Sequence, residues 1–186
     1  MLPFGHISAG YLISQLGHSQ QKKPGRKSVI FIIFCALIFD FDFFVPNLVG
    51  MPGGTHHYLA THTPLAGVIY WLILYMLLRK RFSFRVLVLG AIAMVSHLVL
   101  DDFSYWLTLV GLENQSRPQI FWLFPFDTRR EAEVNSFFGY FSSHPYGNKE
   151  VLVSYLIKLP RLFYLEIILT ITAMAVWINN LKKRSD

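Results

Sequence analysis

The sequence predicts an all-α fold, a polytopic membrane helical bundle of four to five spans with an interfacial aromatic-rich segment. Three observations carry that expectation. Hydrophobic residues make up 53% of the 186 positions and the mean hydropathy is +0.41, too apolar for an ordinary soluble domain. Several apolar runs approach the ~20 residues that a helical span needs. None of these runs alternates with period two, which favours helices over barrel strands. The length suits a single integral membrane domain covering residues 1–186.

The first element is residues 2–19, apolar around Gly5, His6, Ser8, Gly10, Ser14, Gln15 and Gly17 and only just long enough to cross. No basic residue precedes its apolar part, which does not look like a cleaved signal, so it is read as part of the mature protein. Crossing, or a re-entrant helix, brings His6 level with the polar residues described next; a helix lying flat leaves it on the cytoplasmic side. The second element, residues 28–46, is uninterruptedly apolar from Val29 to Phe39 and then meets Asp40 and Asp42. Residues 64–78 form the third and stop at Arg79-Lys80-Arg81. The fourth, residues 84–100, is broken only by Arg85, Ser96 and His97 and runs into Asp101-Asp102. The fifth, residues 162–181, carries Glu166 and stops at Lys182-Lys183-Arg184. Between them, residues 103–160 are dense in aromatics such as Tyr105, Trp106, Trp122, Phe124 and Phe126, side chains that suit the headgroup level. That segment is expected to lie over the site as an interfacial lid, with turns at Gly139, Pro145 and Gly147.

The formal charge of +6 raises the question of a nucleic-acid partner, and the placement of the cations answers it. Lys22, Lys23, Arg26 and Lys27, then Arg79, Lys80, Arg81 and Arg85, then Lys182, Lys183 and Arg184 hold 11 of the 17 cations. With four strong spans these clusters fall on one side, which loop charge assigns to the cytoplasm. Membrane topology therefore accounts for the charge, and no nucleic-acid partner is expected. The bilayer itself is the partner. Cys35 is alone, so a disulfide framework and a thiolate metal cage are both excluded, and any metal must use nitrogen and oxygen ligands.

This orientation puts Asp40, Asp42, His56, His57, His62, His97, Asp101 and Asp102 on the non-cytoplasmic side. On a helix, His97 and Asp101 are one turn apart on one face, as two ligands of a common ion require. Carboxylates at the membrane boundary are costly unless paired or metal-bound, so the set is a candidate functional site. The candidate metal ligands are His6, Asp42, His62, His97 and Asp101, with Asp40 and His57 cast as catalytic base or as groups orienting a ligand. Nitrogen and oxygen donors of this kind suit zinc first and manganese second, as one divalent ion or two.

The same residues resemble a known family, the membrane-bound, predicted metal-dependent hydrolases also described as LexA-binding, inner-membrane-associated hydrolases. The likeness covers most of residues 1–126: His6 to Gly10, Ala36 to Asp42, His57 to Thr63, and His97 to Asp101, followed by Trp122-Leu123-Phe124-Pro125-Phe126. Phe39 stands where that family usually has proline, and Tyr58 where it usually has arginine. The ligand order is also similar to part of the site of zinc phospholipases C and single-strand nucleases, which hydrolyse phosphate esters. Their further His-x-x-x-Glu is missing, and Glu166 or His144 is the residue available to complete a site. The resemblance implies a metal-dependent hydrolase, a phosphoesterase, in a bacterial inner (plasma) membrane. Its expected substrate is amphiphilic or lipid-linked, and the family's description leaves room for a regulatory protein partner. Arg129 and Arg130 read as exposed surface charges rather than phosphate ligands. Two other classes remain: a metal-ion or proton transporter, and a noncatalytic metal-stabilised scaffold. A transporter requires polar groups at several depths, whereas the sequence places them at one level, with the inner halves of the spans nearly bare.

Overall fold

A computed structural model describes residues 3–16, 24–43, 59–112, 120, 122–126 and 160–185. All of its regular structure among the described residues is helical. Helix α1 is Pro3–Gln15 and α2 is Arg26–Leu37, which passes directly into a 3-10 segment, Ile38–Phe43. Helix α3 is Pro64–Leu78, α4 is Phe84–Asp101, the short α5 is Phe103–Leu109, and α6 is Pro160–Ser185.

Local chemistry sets the helix starts. Gly25 is extended just ahead of α2. Thr63 caps α3 by accepting from the Ala66 amide at 3.3 Å, and Pro64 supplies a preset φ at the first helical position. Ser83 is extended ahead of α4. The basic run Arg79-Lys80-Arg81 just past the end of α3 complements that helix's negative pole.

The core is a three-helix cluster of α1, α2 and α4, with α3 added against α4 and α6 against α1. Small residues allow the close approach. A β-carbon at Gly10 would lie 2.8 Å from the Ala36 β-carbon, and one at Gly90 3.0 Å from the Cys35 sulfur. Ile32, Cys35, Ala36, Phe39, Leu87, Ala93, Met94 and Leu98 fill the interior between these helices. The Trp71 indole donates to the Leu87 carbonyl at 3.1 Å and ties α3 to α4. Helices α1 and α6 run in the same direction, since Ser8 bonds Thr170 at 3.3 Å and Gln15 bonds Asn180 at 3.2 Å.

Among the described residues, two helical stretches are long and apolar enough to cross a bilayer, Phe84–Asp101 and Tyr164–Lys182. Four to five expected spans thus reduce to two that meet the length requirement. Helix α3 ends where expected but has 15 residues, about 22 Å at 1.5 Å per residue against a hydrocarbon core of about 30 Å. The run 28–46 is not one α-helix, because the helix type changes at Ile38, and α1 is 13 residues long. Hydropathy registers composition and is blind to that change in winding. The outer faces are apolar nonetheless: Val68, Leu72, Met76 and Leu77 on α3, and Ile168, Ile171, Met174 and Trp177 on α6, are exposed. Such broad apolar surface fits lipid as the surrounding solvent. Of the aromatic segment 103–160, residues 103–112, 120, 122–126 and 160 fall within the described residues, and the turns expected at Gly139, Pro145 and Gly147 lie outside them.

Candidate metal centre

Four pieces of chain converge at one end of the bundle. Helix α1 brings His6, the 3-10 segment brings Asp40 and Asp42, the turn before α3 brings His62, and the last turns of α4 bring His97 and Asp101. His6, His62 and His97 are fully buried, and Asp42 and Asp101 nearly so. The His62 turn is held by its own backbone, with the His62 amide on the Leu59 carbonyl at 3.0 Å and the Thr63 hydroxyl on the Ala60 carbonyl at 2.8 Å.

Asp101 is the hub. One carboxylate oxygen lies 3.1 Å from His6 Nε2, and the other lies 3.0 Å from His62 Nε2 and 3.0 Å from His97 Nε2. The His6 and His97 rings stack with centroids 3.9 Å apart, and Phe39 packs against both His62 and His97.

The far nitrogens matter as much. His97 Nδ1 lies 2.6 Å from the Ala36 carbonyl, which accepts only, so Nδ1 carries the proton. His62 Nδ1 lies 3.3 Å from Asp42, and the same Asp42 oxygen accepts from the Thr61 hydroxyl at 2.8 Å. An imidazole held at Nδ1 by a carbonyl or carboxylate presents Nε2 for coordination, the arrangement typical of metal-binding histidines. Burial disfavours the His62 imidazolium, but its hydrogen bonds to Asp101 and Asp42 and the two carboxylate charges outweigh that and raise it to about 9.

Among the described residues, four buried side-chain polar atoms have no hydrogen-bond partner: His6 Nδ1, His97 Nε2, Asp40 Oδ2 and Asp42 Oδ1. His97 Nε2 lies between Asp101 at 3.0 Å and Asp40 Oδ1 at 3.7 Å without hydrogen-bond alignment to either. Ligands bound at ~2.1 Å around one ion sit roughly 3.0–3.4 Å from each other, so close unbonded donors are what a cation site presents. Among the described residues, two sets of three donors each lie within 4.8 Å of one another: His6 with Asp40 and His97, and His62 with His97 and Asp101. The residues thus fit a divalent cation by donor type, spacing and orphaned atoms.

All five predicted ligands are brought together, with one difference of placement. Asp42 sits on the outer nitrogen of His62, whereas Asp40, expected as base or orienting group, faces His97 and joins a ligand set. His57, His56, His144, Arg129 and Arg130 lie outside the described residues. Sequence reasoning missed the task of Asp102. It is buried, and it accepts from the Trp122 indole at 2.6 Å and from the Ile120 amide at 3.3 Å, pinning that turn to the end of α4. The signal was present in the Asp-Asp doublet: with Asp101 aligned to His97, the next residue points about 100° away. Polar groups are also less confined in depth than expected. Along α1 and α6, Ser8 and Thr170, then Tyr11, Gln15 and Asn180, form hydrogen bonds at successive levels away from His6.

Neither the curated proteins nor the solved structures contain a match to this chain. A family model does match, that of the YdjM inner membrane protein, over residues 1–181. With nearly its whole length covered and two helices able to cross a bilayer, the chain belongs to the YdjM inner membrane protein family.

Proposed function

We propose that this protein is a membrane-bound, metal-dependent hydrolase acting on a phosphate ester of a lipid or lipid-linked molecule. The observation that carries the reading is His97. Its Nδ1 is committed to the Ala36 carbonyl at 2.6 Å, which leaves Nε2 turned toward the carboxylates of Asp101 and Asp40 without hydrogen-bonding to either. A lone pair and two carboxylates repel unless a cation stands among them. Zinc suits the three imidazoles, and manganese suits the carboxylates.

Asp101, with one oxygen facing His6 and the other facing His62 and His97, would hold such cations together with those imidazoles, and Asp40, facing His97, would add a second carboxylate. Such cations, when bound, would acidify water toward a pKa of about 7 and polarise the phosphoryl oxygen. The protein's own groups supply the rest. Asp42, fixed by Thr61, orients His62 and holds its tautomer. Asp40 is the least buried carboxylate of the cluster and has one oxygen without a partner, so it is the group placed to accept the proton of the attacking water. Burial of the three imidazoles keeps bulk water from the reacting centre.

In the bilayer, α1, α3, and α2 with its 3-10 continuation lie beside the two long helices, giving five membrane-embedded elements. The basic ends of α3 and α6 face the cytoplasm, and the cluster faces the other side. The turn 122–126, exposing Leu123 and Phe126, borders the end of α4 that carries the site through the Trp122–Asp102 bond, an arrangement suited to an amphiphile entering from the membrane.

The test is the metal content of purified protein together with hydrolysis of phosphomonoester and phosphodiester lipids, for wild type and Asp101→Asn. Metal and turnover that vanish together support the enzyme. Bound metal with no turnover on either class points to a noncatalytic scaffold, and no metal at all refutes the site. The hydrogen-bonded α1–α6 seam favours one second reading, transport of ions or protons. Proteoliposomes that accumulate zinc or protons would favour it over hydrolysis.

A further inference from the structure

His62 and His97 each have their outer nitrogen held, His62 Nδ1 by Asp42 and His97 Nδ1 by the Ala36 carbonyl. A hydrogen bond at one nitrogen fixes one point of an imidazole and still permits the ring to tilt about it. Coordination asks for more, since a ligand atom has to be aimed to within about 10–20°.

A third ring stands against both imidazoles. Phe39 is buried, with its centroid 5.4 Å from that of His62 and 5.2 Å from that of His97, and the two imidazole centroids are 5.1 Å apart. The three rings thus form a nearly equilateral triangle, at spacings typical of aromatic pairs in contact. Phe39 has no room to retreat. A β-carbon on Gly67 would lie 3.0 Å from its Cζ, and the Tyr70 ring stands 5.7 Å from it, centroid to centroid. Gly67 and Tyr70 are three residues apart on α3, so one face of that helix backs the ring. On the cluster side, His62 Nε2 and His97 Nε2 both lie 3.0 Å from the same oxygen of Asp101, so the two imidazoles whose planes Phe39 meets are those that share a ligand set. A flexible aliphatic side chain would fill the same space without fixing either plane. We propose that Phe39 is a positioning residue of the cluster: its ring, backed by Gly67 and Tyr70, holds the planes of His62 and His97 so that both Nε2 atoms aim at one ion.

The proposal rests on the reading of the cluster as a metal centre, and its test separates the two. Full-length protein in detergent is titrated with zinc against a chelating dye, and with cobalt, whose visible absorption reports ligand geometry. Phe39→Leu removes the ring and keeps the site apolar. Gly67→Ala keeps the ring and, since comfortable carbon contacts lie at about 3.5–4.0 Å, drives it roughly 0.5–1 Å toward the imidazoles. Expected is a 10- to 100-fold weaker zinc affinity in Phe39→Leu with a shifted cobalt band, and a smaller loss with a shifted band in Gly67→Ala. In the double variant the alanine adds no further loss, because the ring it would push is gone. A merely structural role predicts lower metal-free melting temperatures with zinc affinity and cobalt band intact. Wild-type affinity and band in Phe39→Leu overturn the proposal, and if that variant fails to fold, the same result in Gly67→Ala does so. A wild-type protein that takes up neither zinc nor cobalt overturns the reading of the cluster instead.

Discussion

Adding one methyl group at Gly10, four residues and one turn from His6 on the same face of α1, should disturb both packing and ligand geometry. The added β-carbon would lie 2.8 Å from the Ala36 β-carbon and 3.1 Å from the Ile33 α-carbon. Comfortable carbon contacts lie at about 3.5–4.0 Å, so a gap of roughly 1 Å must open. Neither neighbour is the end of a flexible side chain, so the helices themselves must separate. Overpacking of this kind costs about 1–3 kcal/mol. Because α1 moves as a rigid turn, His6 is carried about 1 Å from Asp101, which it now meets at 3.1 Å. Misplacement on that scale can cost on the order of 100-fold in a reaction that depends on alignment. Gly10→Ala is therefore expected to lower both the melting temperature and the zinc affinity. Adding Ala36→Gly removes the shorter contact and should restore most of the affinity. Stability should recover less, since glycine within a helix costs about 1 kcal/mol relative to alanine. A Gly10→Ala protein that melts and binds zinc like wild type would refute the close-approach argument and the link it draws between α1 packing and the site.

Three other perturbations address the remaining contacts. Asp42→Asn weakens the hold on His62 Nδ1 without removing a donor of either three-residue set, so zinc affinity should fall about 10- to 100-fold, measurable by competition with a chelating dye; complete loss would make Asp42 a ligand. Trp122→Phe deletes the 2.6 Å bond to Asp102 and should lower stability by about 1–3 kcal/mol with metal content unchanged, seen as faster proteolysis around residues 110–126. In the metal-free protein His62, raised from 6.5 to about 9, is protonated at pH 7. Its contribution to stability is full below about 6.5 and is lost as the pH rises through about 9, while zinc, which must displace that proton, binds more tightly over the same rise. Calorimetry in buffers of different ionisation enthalpy should show proton release on zinc uptake at pH 7; its absence would contradict a protonated His62.

The parts of the site legible in the sequence are those whose geometry follows from a regular period. His97 and Asp101 sit on one α-helical face, and their 3.0 Å approach is what that spacing dictates. The same period turns Asp102 aside, toward Trp122. Asp40 and Asp42 were legible as site residues because carboxylates among phenylalanines at a membrane boundary need a purpose, but their roles were not. They lie in a 3-10 segment, where three residues complete a turn and two positions are separated by roughly 240°. One therefore faces His97 and the other the outer nitrogen of His62. A reader assuming 3.6 residues per turn has no basis for deciding which is which.

The same change of winding explains why spans were harder to read than the cluster. A run such as Val29 to Phe39 satisfies a hydropathy window whatever its backbone does, yet the α-helix stops at Leu37 so that the chain can deliver two aspartates within a few residues. Site and span compete for the same segment. Short α1, α2 with its 3-10 extension and the 15-residue α3 all end at or begin from the cluster, while α6, which is long enough to cross, contributes only Glu166 near that level. Of the helices that carry the cluster, α1 and α3 are short, whereas α4, with His97 and Asp101 in its last turns, keeps a length sufficient to cross. The short helices reach the cluster with ends that line protein rather than lipid, the setting in which helix-end backbone groups are tolerable at membrane depth.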